Sequence, residues 1–292
     1  MIATEALASA LEGFLPRQRW FTSREGLESV EVSRLDVMRA QWPALLRAEV
    51  DVVFRDGVRD KYQVFLGLRP PGEAAQFLEG HSEAVLGEFE TDLGVAYCYE
   101  ALRDSELALR VFQEVAPDEE VVERVRPVGT EQSNSSLIYD DRLILKVYRK
   151  LNEGTNPDVE ITSALHRIGF TQVPEPVGVW TLDERDLVFL QRYLAGGAEG
   201  WALALTSLRD LYAQGGDPSL AGGDFSAEAE RLGEMTASMH SALLQVFGSV
   251  AGDGEAWADE MQSHLGRAPH PGIDAEAASA FFDQLRRVHD PG

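Results

Sequence analysis

Asp141-Arg142-Leu143-Ile144-Leu145-Lys146-Val147-Tyr148-Arg149 decides how the rest of the chain is read. Two-residue alternation makes it a strand, with Leu143, Leu145 and Val147 on one face and Ile144, Lys146 and Tyr148 on the other. A lysine amid apolar strand residues has two readings. It is an edge residue whose stem lies on the sheet while its ammonium reaches water, or a cation placed for a ligand.

The flanking sequence bears on that choice. Glu131-Gln132-Ser133-Asn134-Ser135-Ser136 lies between the strand-like stretch 121–128 and Leu137-Ile138-Tyr139. Such a cluster is ordinarily a solvated turn, but before a strand with a central lysine it supplies backbone and side-chain donors for phosphate oxygens. Downstream, Asn156 is a good N-cap, Pro157 suits the first helical position and Gly169 ends the helix. Ile161, Leu165 and Ile168 are its predicted buried stripe, with Glu160 at the edge. That carboxylate either meets Lys146 or faces water in the favourable field of the helix start. The apolar strand Leu187–Gln191 then runs into Arg192-Tyr193-Leu194-Ala195-Gly196-Gly197. This is the form of an adenine-binding hinge, and equally of any buried strand leaving a core.

Each feature is ambiguous alone, and their order is less so. Strand, polar loop, strand, tight turn, strand, helix, strand and further helices is the order of a kinase-like small lobe feeding a helical large lobe. In such folds a Lys–Glu pair holds the lysine on the α- and β-phosphates.

Towards the amino terminus, residues 1–14 have helical spacing and Pro16 punctuates them before the core-type pair Trp20-Phe21. Leu46, Ala48, Val50, Val52 and Phe54 alternate with polar neighbours, as do Tyr62, Val64, Leu66 and Leu68. Asp56-Gly57 between them predicts a hairpin turn, which requires positive φ. The acidic, weakly patterned stretch 80–94 is the expected boundary, and a second β-rich unit is expected from about Leu107 to Arg149. The reading is an α+β, kinase-like two-lobed fold: a β-rich cap at 1–92, a small lobe at 93–194, and at 195–292 the first part of an incomplete helical large lobe.

The formal charge of −23 disfavours binding to phosphate backbones and anionic membranes by general electrostatics. A small anionic ligand can still bind where local donors override a field that salt screens within about 10 Å. The single cysteine, Cys98, cannot form an internal disulfide, and six scattered histidines make a poor zinc set. Acidic residues stand where a signal peptide needs basic ones, and no run approaches the roughly 18 apolar residues of a membrane span. A cytoplasmic protein with neither nucleic-acid nor membrane partners is expected.

Residues 131–136, the block from Leu143 through Glu160, Ala198-Glu199-Gly200-Trp201-Ala202-Leu203-Ala204 and Ser207-Leu208-Arg209-Asp210-Leu211 together resemble the maltokinase family. So do Leu15-Pro16-Arg17-Gln18-Arg19-Trp20-Phe21 and Gly223-Asp224-Phe225 followed by Arg231-Leu232-Gly233. The resemblance implies an aminoglycoside-phosphotransferase-like kinase with an N-terminal cap. It would transfer the γ-phosphoryl group of ATP to the anomeric hydroxyl of maltose for α-glucan synthesis, with trehalose synthase as an implied partner. It also implies that Gln132, Ser133, Asn134, Ser135 and Ser136 form the phosphate loop, with Lys146 as phosphate lysine, Glu160 as its partner and Gln191, Arg192 and Tyr193 as hinge.

The family's His-Gly-Asp catalytic loop, its nearby glutamine metal ligand and its Asp-Phe-Glu-Gly-Glu-Pro segment do not occur in the 292 residues. No catalytic residue is therefore assigned, and the Mg²⁺ ligands are expected downstream. His289-Asp290, beside a terminal Pro-Gly, is no platform for a positioned base. The expectation is the front part of a longer protein, with at most weak ATP affinity and no maltose kinase activity alone. Two other readings stand: another sugar or amino-sugar kinase of glucosamine type, or a non-catalytic nucleotide-binding or partner-docking module. Three further features read as structural. The acids at Asp224, Glu228 and Glu230 favour a helix start, His240 is a core or boundary residue, and Trp201 either packs between lobes or stacks on a sugar.

Overall fold

The computed structural model describes residues 2–21, 26–73, 81–117, 119, 121–128, 133–197, 199–217, 225–267 and 272–287. Two compact units divide the chain, residues 1–231 and 232–292. The first contains α1 (Thr4–Phe14), β1 (Leu27–Arg39), β2 (Ala44–Phe54), β3 (Arg59–Arg69), β4 (Val85–Thr91), β5 (Gly94–Glu100) and α2 (Ser105–Val115). It continues with β6 (Val125–Pro127), β7 (Asn134–Tyr139), β8 (Leu143–Tyr148), β9 (Lys150–Leu151), α3 (Pro157–Arg167), β10 (Pro176–Leu182), β11 (Arg185–Arg192) and α4 (Gly200–Gln214). Helix α5 (Ser226–Phe247) begins in this unit.

Two antiparallel sheets result. The first has the order β1-β2-β3-β5-β4, with β9 also pairing β3, and the second the order β10-β11-β8-β7-β6. The β2–β3 hairpin turns where the sequence predicts. Gly57 takes φ +81°, and Asp56 Oδ1 accepts from the Val58 amide at 3.1 Å. Leu46, Ala48, Val50, Val52 and Phe54 pack on Leu7, Leu11 and Phe14 of α1 together with Leu15, Trp20 and Phe21. Leu45 and Phe65 face the other way. They share a core with Leu137, Tyr139, Leu143, Leu145 and Val147 of β7 and β8, and with Leu187, Val188 and Leu190 of β11. The first sheet is thus covered on both faces, each buried aliphatic or aromatic side chain contributing about 1.5–3 kcal/mol.

The boundary expected at 92 falls in the turn between β4 and β5. Strand β5 stays in the first sheet because Leu66, Gly67, Leu68 and Arg69 pair with Glu100, Tyr99, Cys98 and Tyr97. The segment from Leu107, expected to open a β-rich unit, is instead helix α2. Asp104 caps it by accepting from the Glu106 and Leu107 amides, and Leu107, Ala108, Val111 and Phe112 make a helical stripe into the shared core.

The second unit holds the rest of α5, α6 (Gly254–Arg267) and α7 (Ala275–Leu285). Arg286 joins α7 to Asp259 of α6 at 2.7 Å, and Ser279 Oγ donates to Gln262 Oε1. Leu232, Met235 and His240 are exposed, which corrects the core-or-boundary reading of His240. Trp201 on α4 is 70% exposed, so it packs little against the described residues. Among the described residues no helix is long and apolar enough to cross a membrane. Gln132, Asp224, His289 and Asp290 lie outside the described residues.

Candidate functional site

Residues paired directly across antiparallel strands point to the same face, so the register of the second sheet shows which candidates converge. One row is Arg126, Ile138, Ile144 and Gln191, each the pairing partner of the next. The next row is Ser136, Lys146, Phe189 and Val179. Asn134 pairs with Tyr148 beyond it. Asn134, Ser136, Lys146 and Gln191 therefore share one face, as alternation from Lys146 predicts.

Ser135 does not join them. It pairs with Val147 on the opposite face, where its Oγ accepts a hydrogen bond from Arg149 Nε at 2.8 Å. Its hydroxyl is turned towards the first sheet, away from the lysine, so a direct side-chain role on phosphate is corrected to a structural contact. Ser133 is exposed at the entry to β7.

Lys146 makes an ion pair, but not with Glu160. Its Nζ lies 2.8 Å from Asp158 Oδ2, which also accepts from Tyr148 Oη at 3.1 Å. The physical reason is helix phase. At about 100° per residue, Asp158 and Glu160 differ by about 200° around the axis. The buried face of α3 is formed by Val159, Thr162, Ala164 and Leu165, while Ile161 and Ile168 are each 38% exposed. Asp158 shares its side with Thr162 and Leu165, and Glu160 is exposed.

The helix start is anchored as the cap signal predicts. Asn156 Oδ1 accepts from the Asp158 amide at 2.9 Å, and Asp186 Oδ2 accepts from the Asn156 amide at 2.8 Å. Asp186 is buried at the start of β11 and also takes a hydrogen bond from Thr181. Strand β11 thus positions the helix turn that carries the partner of Lys146. Sequence reasoning misses Asp158 and Asp186. The phase of Val159, Thr162 and Leu165 is the signal that finds the first, whereas the second depends on nonlocal packing.

At the hinge end, Gln191 is buried and β11 is extended by the Tyr193 amide, which donates to Arg142 O at 2.8 Å. The Arg192 amide donates to Glu175 O. These two hinge N–H groups are already committed to the protein. Beside them is a recess of about 330 Å³ lined by Arg124, Val125, Arg126, Ile138, Asp140 and Asp141. The Arg126 guanidinium lies 5.7 Å from the Tyr193 ring centroid and bonds to Asp141. Desolvation opposes the Asp140 carboxylate, but hydrogen bonds from the Arg124 and Glu123 amides and the charges of Arg124 and Arg142 outweigh it, holding the group below the usual carboxylate range. Ile138 and Lys146 lie two residues apart along their strands, a rise of about 7 Å.

Among the described residues no group of three or more His, Cys, Asp or Glu side chains could hold a metal ion. What they offer is a lysine, amides and backbone groups, not a metal-ligand set.

Residues 14–104 match the maltokinase N-terminal cap domain family. That match ends at the N-cap of α2, beyond the boundary expected at 92. A glucosamine kinase of Streptacidiphilus jiangxiensis is 30% identical over 200 residues, 65% of this chain and 44% of the relative. A glucosamine kinase of Mycolicibacterium smegmatis is 31% identical over 90 residues, 29% of this chain and 23% of the relative. The chain thus spans less than half the length of these curated relatives. Among solved structures, a glucosamine kinase in complex with glucosamine, ADP and inorganic phosphate aligns with 98% of this chain and 64% of its own, at TM-score 0.55 and 20% identity. Crystal form B of a glucosamine kinase aligns at TM-score 0.60 and 21% identity, covering 98% and 65%. The α+β fold, with its N-terminal β-rich domain and helical region, is common to these structures.

Proposed function

We propose that this chain is the cap and nucleotide-binding part of an ATP-dependent sugar kinase. The observation that carries the reading is the Lys146–Asp158 pair on the sheet face that also bears the recess beside Tyr193. In this reading Lys146 attracts the phosphates, Asp158 keeps its ammonium on that face, and the amides of residues 133–136 cradle the phosphate oxygens. Adenine occupies the recess between Ile138 and the hinge. The sugar and the metal-dependent chemistry are met by residues outside this set.

Glucosamine is the first acceptor to test, because the likeness to a glucosamine kinase extends over 65% of this chain. Maltose is the second, supported by the maltokinase-type cap at 14–104. ADP release by the protein as encoded, measured with glucosamine, maltose and glucose at equal concentration, separates the readings. A rate dependent on one sugar identifies the acceptor. ADP binding without sugar-dependent release supports the non-catalytic module, and failure to bind ADP or ATP removes the kinase reading.

A further inference from the structure

The two sheets meet along a seam, and one side chain in it connects the cap to the expected phosphate loop. Arg149 follows β8 three residues after Lys146 and is 1% exposed. Its Nη2 lies 3.0 Å from Glu100 Oε1 at the end of β5, and its guanidinium sits 4.7 Å from the Trp20 ring centroid. Its Nε donates to Ser135 Oγ at 2.8 Å. Trp20 and Glu100 belong to the segment that matches the cap family, whereas Ser135 is the second residue of β7.

We infer that Arg149 is a positioning residue through which the cap fixes Ser135, and with it the backbone amides that begin β7, so that nucleotide affinity depends on cap contacts. The inference rests on the nucleotide site proposed above. A buried guanidinium is costly to desolvate and stays charged, so its position is over-determined by the carboxylate and the indole face that compensate it. Both compensating groups come from the cap. Arg149 Nε is aimed at a serine hydroxyl on the opposite face of the sheet from Lys146. Fixing Ser135 in this way orders the adjacent backbone of Ser133 and Asn134 at the entry to β7, which a phosphate would need preorganised.

The seam also contains buried polar atoms without a partner in the described part of the protein. Among the described residues, the buried side-chain atoms without a hydrogen-bond partner are Arg47 Nη1, Gln63 Oε1, Glu100 Oε2 and Arg149 Nη1. Two of the four belong to the Glu100–Arg149 pair itself. Replacing a buried ion pair with well-packed apolar side chains is often neutral or stabilising, so the presence of this pair is weak evidence for a stabilising role.

The test is calorimetric titration of the protein as encoded with ADP in magnesium-containing buffer, alongside thermal melting. Arg149→Met risks misfolding, so the informative variants are Ser135→Ala, Ser135→Thr and Trp20→Leu. Ser135→Ala is expected to weaken ADP binding roughly 3- to 10-fold and, by leaving Arg149 Nε without its acceptor, to lower Tm as well, and Ser135→Thr, which keeps the acceptor, to restore both. Trp20→Leu is expected to weaken binding in the same direction, and its combination with Ser135→Ala to add little more. Arg47→Met is the control for seam stability: it should lower Tm without changing ADP affinity. ADP affinity unchanged in Ser135→Ala, or affinity that tracks Tm across all variants, overturns the inference. Failure of the unaltered chain to bind ADP overturns the nucleotide-site reading instead.

Discussion

Lys146 Nζ lies 2.8 Å from Asp158 Oδ2, and the same carboxylate oxygen accepts from Tyr148 Oη, two residues along β8. One side chain of α3 therefore holds two side chains of one strand face. The lysine and aspartate are 25% and 35% exposed, so the pair contributes about 0–1 kcal/mol to stability. Its consequence lies in the ammonium's position. Asp158→Asn is expected to weaken ADP binding roughly 10-fold while moving Tm little, and Lys146→Met to weaken it at least as much. Glu160→Gln is expected to leave affinity within about twofold, because its side chain faces water. Equal losses for Asp158→Asn and Glu160→Gln would return the lysine's functional partner to Glu160.

The parts of this arrangement legible in the sequence are those fixed by neighbours a few residues away. Asp56-Gly57 specifies its own turn, Asn156-Pro157 its own helix start, and alternation from Leu143 puts Lys146 on the correct face. What escapes is set by distant chain. Strand β5 belongs to the first sheet because Tyr99 pairs with Gly67, far back along the chain, which no local pattern encodes. Arg149 reads as the polar end of a strand and is nevertheless buried, because Trp20 and Glu100 cover it. Glu160 is the natural partner of Lys146 only if Ile161 and Ile168 form the buried stripe of α3. Their exposure rotates the helix so that Asp158 faces the strand.

Gln63 ties the first sheet to the second. Its Nε2 donates to Tyr148 O at 2.8 Å and Leu187 O at 2.6 Å, while its backbone amide donates to Arg149 O at 2.8 Å. Gln63→Leu removes a donor from two buried carbonyls at about 1–3 kcal/mol each, with the apolar replacement recovering part of that. The expected net loss is about 2–4 kcal/mol, seen as a lower urea midpoint with an unchanged m value. A midpoint shifted by less than the error of the measurement would mean that the seam does not depend on this side chain.

Three carboxylates in and beside the cap give acid sensitivity a definite sign. Partial burial opposes ionisation of Asp36, but hydrogen bonds from Arg34 and Arg47 and their charges outweigh it and hold the carboxyl below its ordinary range. Burial is likewise outweighed by Lys61 and Ser33 at Asp51, and by Arg39 and Arg69 at Glu106. A carboxyl depressed in the folded state contributes stability that is present above its unfolded pKa, about 4, and lost as pH falls through the folded value. Tm should therefore decline as pH drops below about 4, with little contribution from these groups between about pH 5 and 8. Asp36→Asn should lower the neutral-pH Tm and make the acid decline shallower. Parallel pH profiles for the variant and the unaltered chain would exclude Asp36 as a source of the acid response.

Gly67 marks a close approach between β3 and its neighbours. A methyl group there would sit 2.7 Å from Leu107 Cδ1 and from two ring carbons of Tyr99. The tyrosine cannot swing aside cheaply. Its hydroxyl donates to Asp104 Oδ2 at 2.6 Å and accepts from Arg69 Nε at 3.0 Å, and the ring is fully buried. Leu107 is pinned in the first turn of α2, whose N-cap is that same Asp104. Gly67→Ala must therefore displace α2 or break the Tyr99–Asp104 contact, an overpacking cost of about 1–3 kcal/mol despite the gain in backbone propensity. Chemical denaturation should show that loss. A compensating variant, Leu107→Ala, should recover part of it by clearing the space, so that the double variant loses less than the sum of the two single losses. Additive losses would show that the strain at Gly67 is relieved elsewhere than against α2.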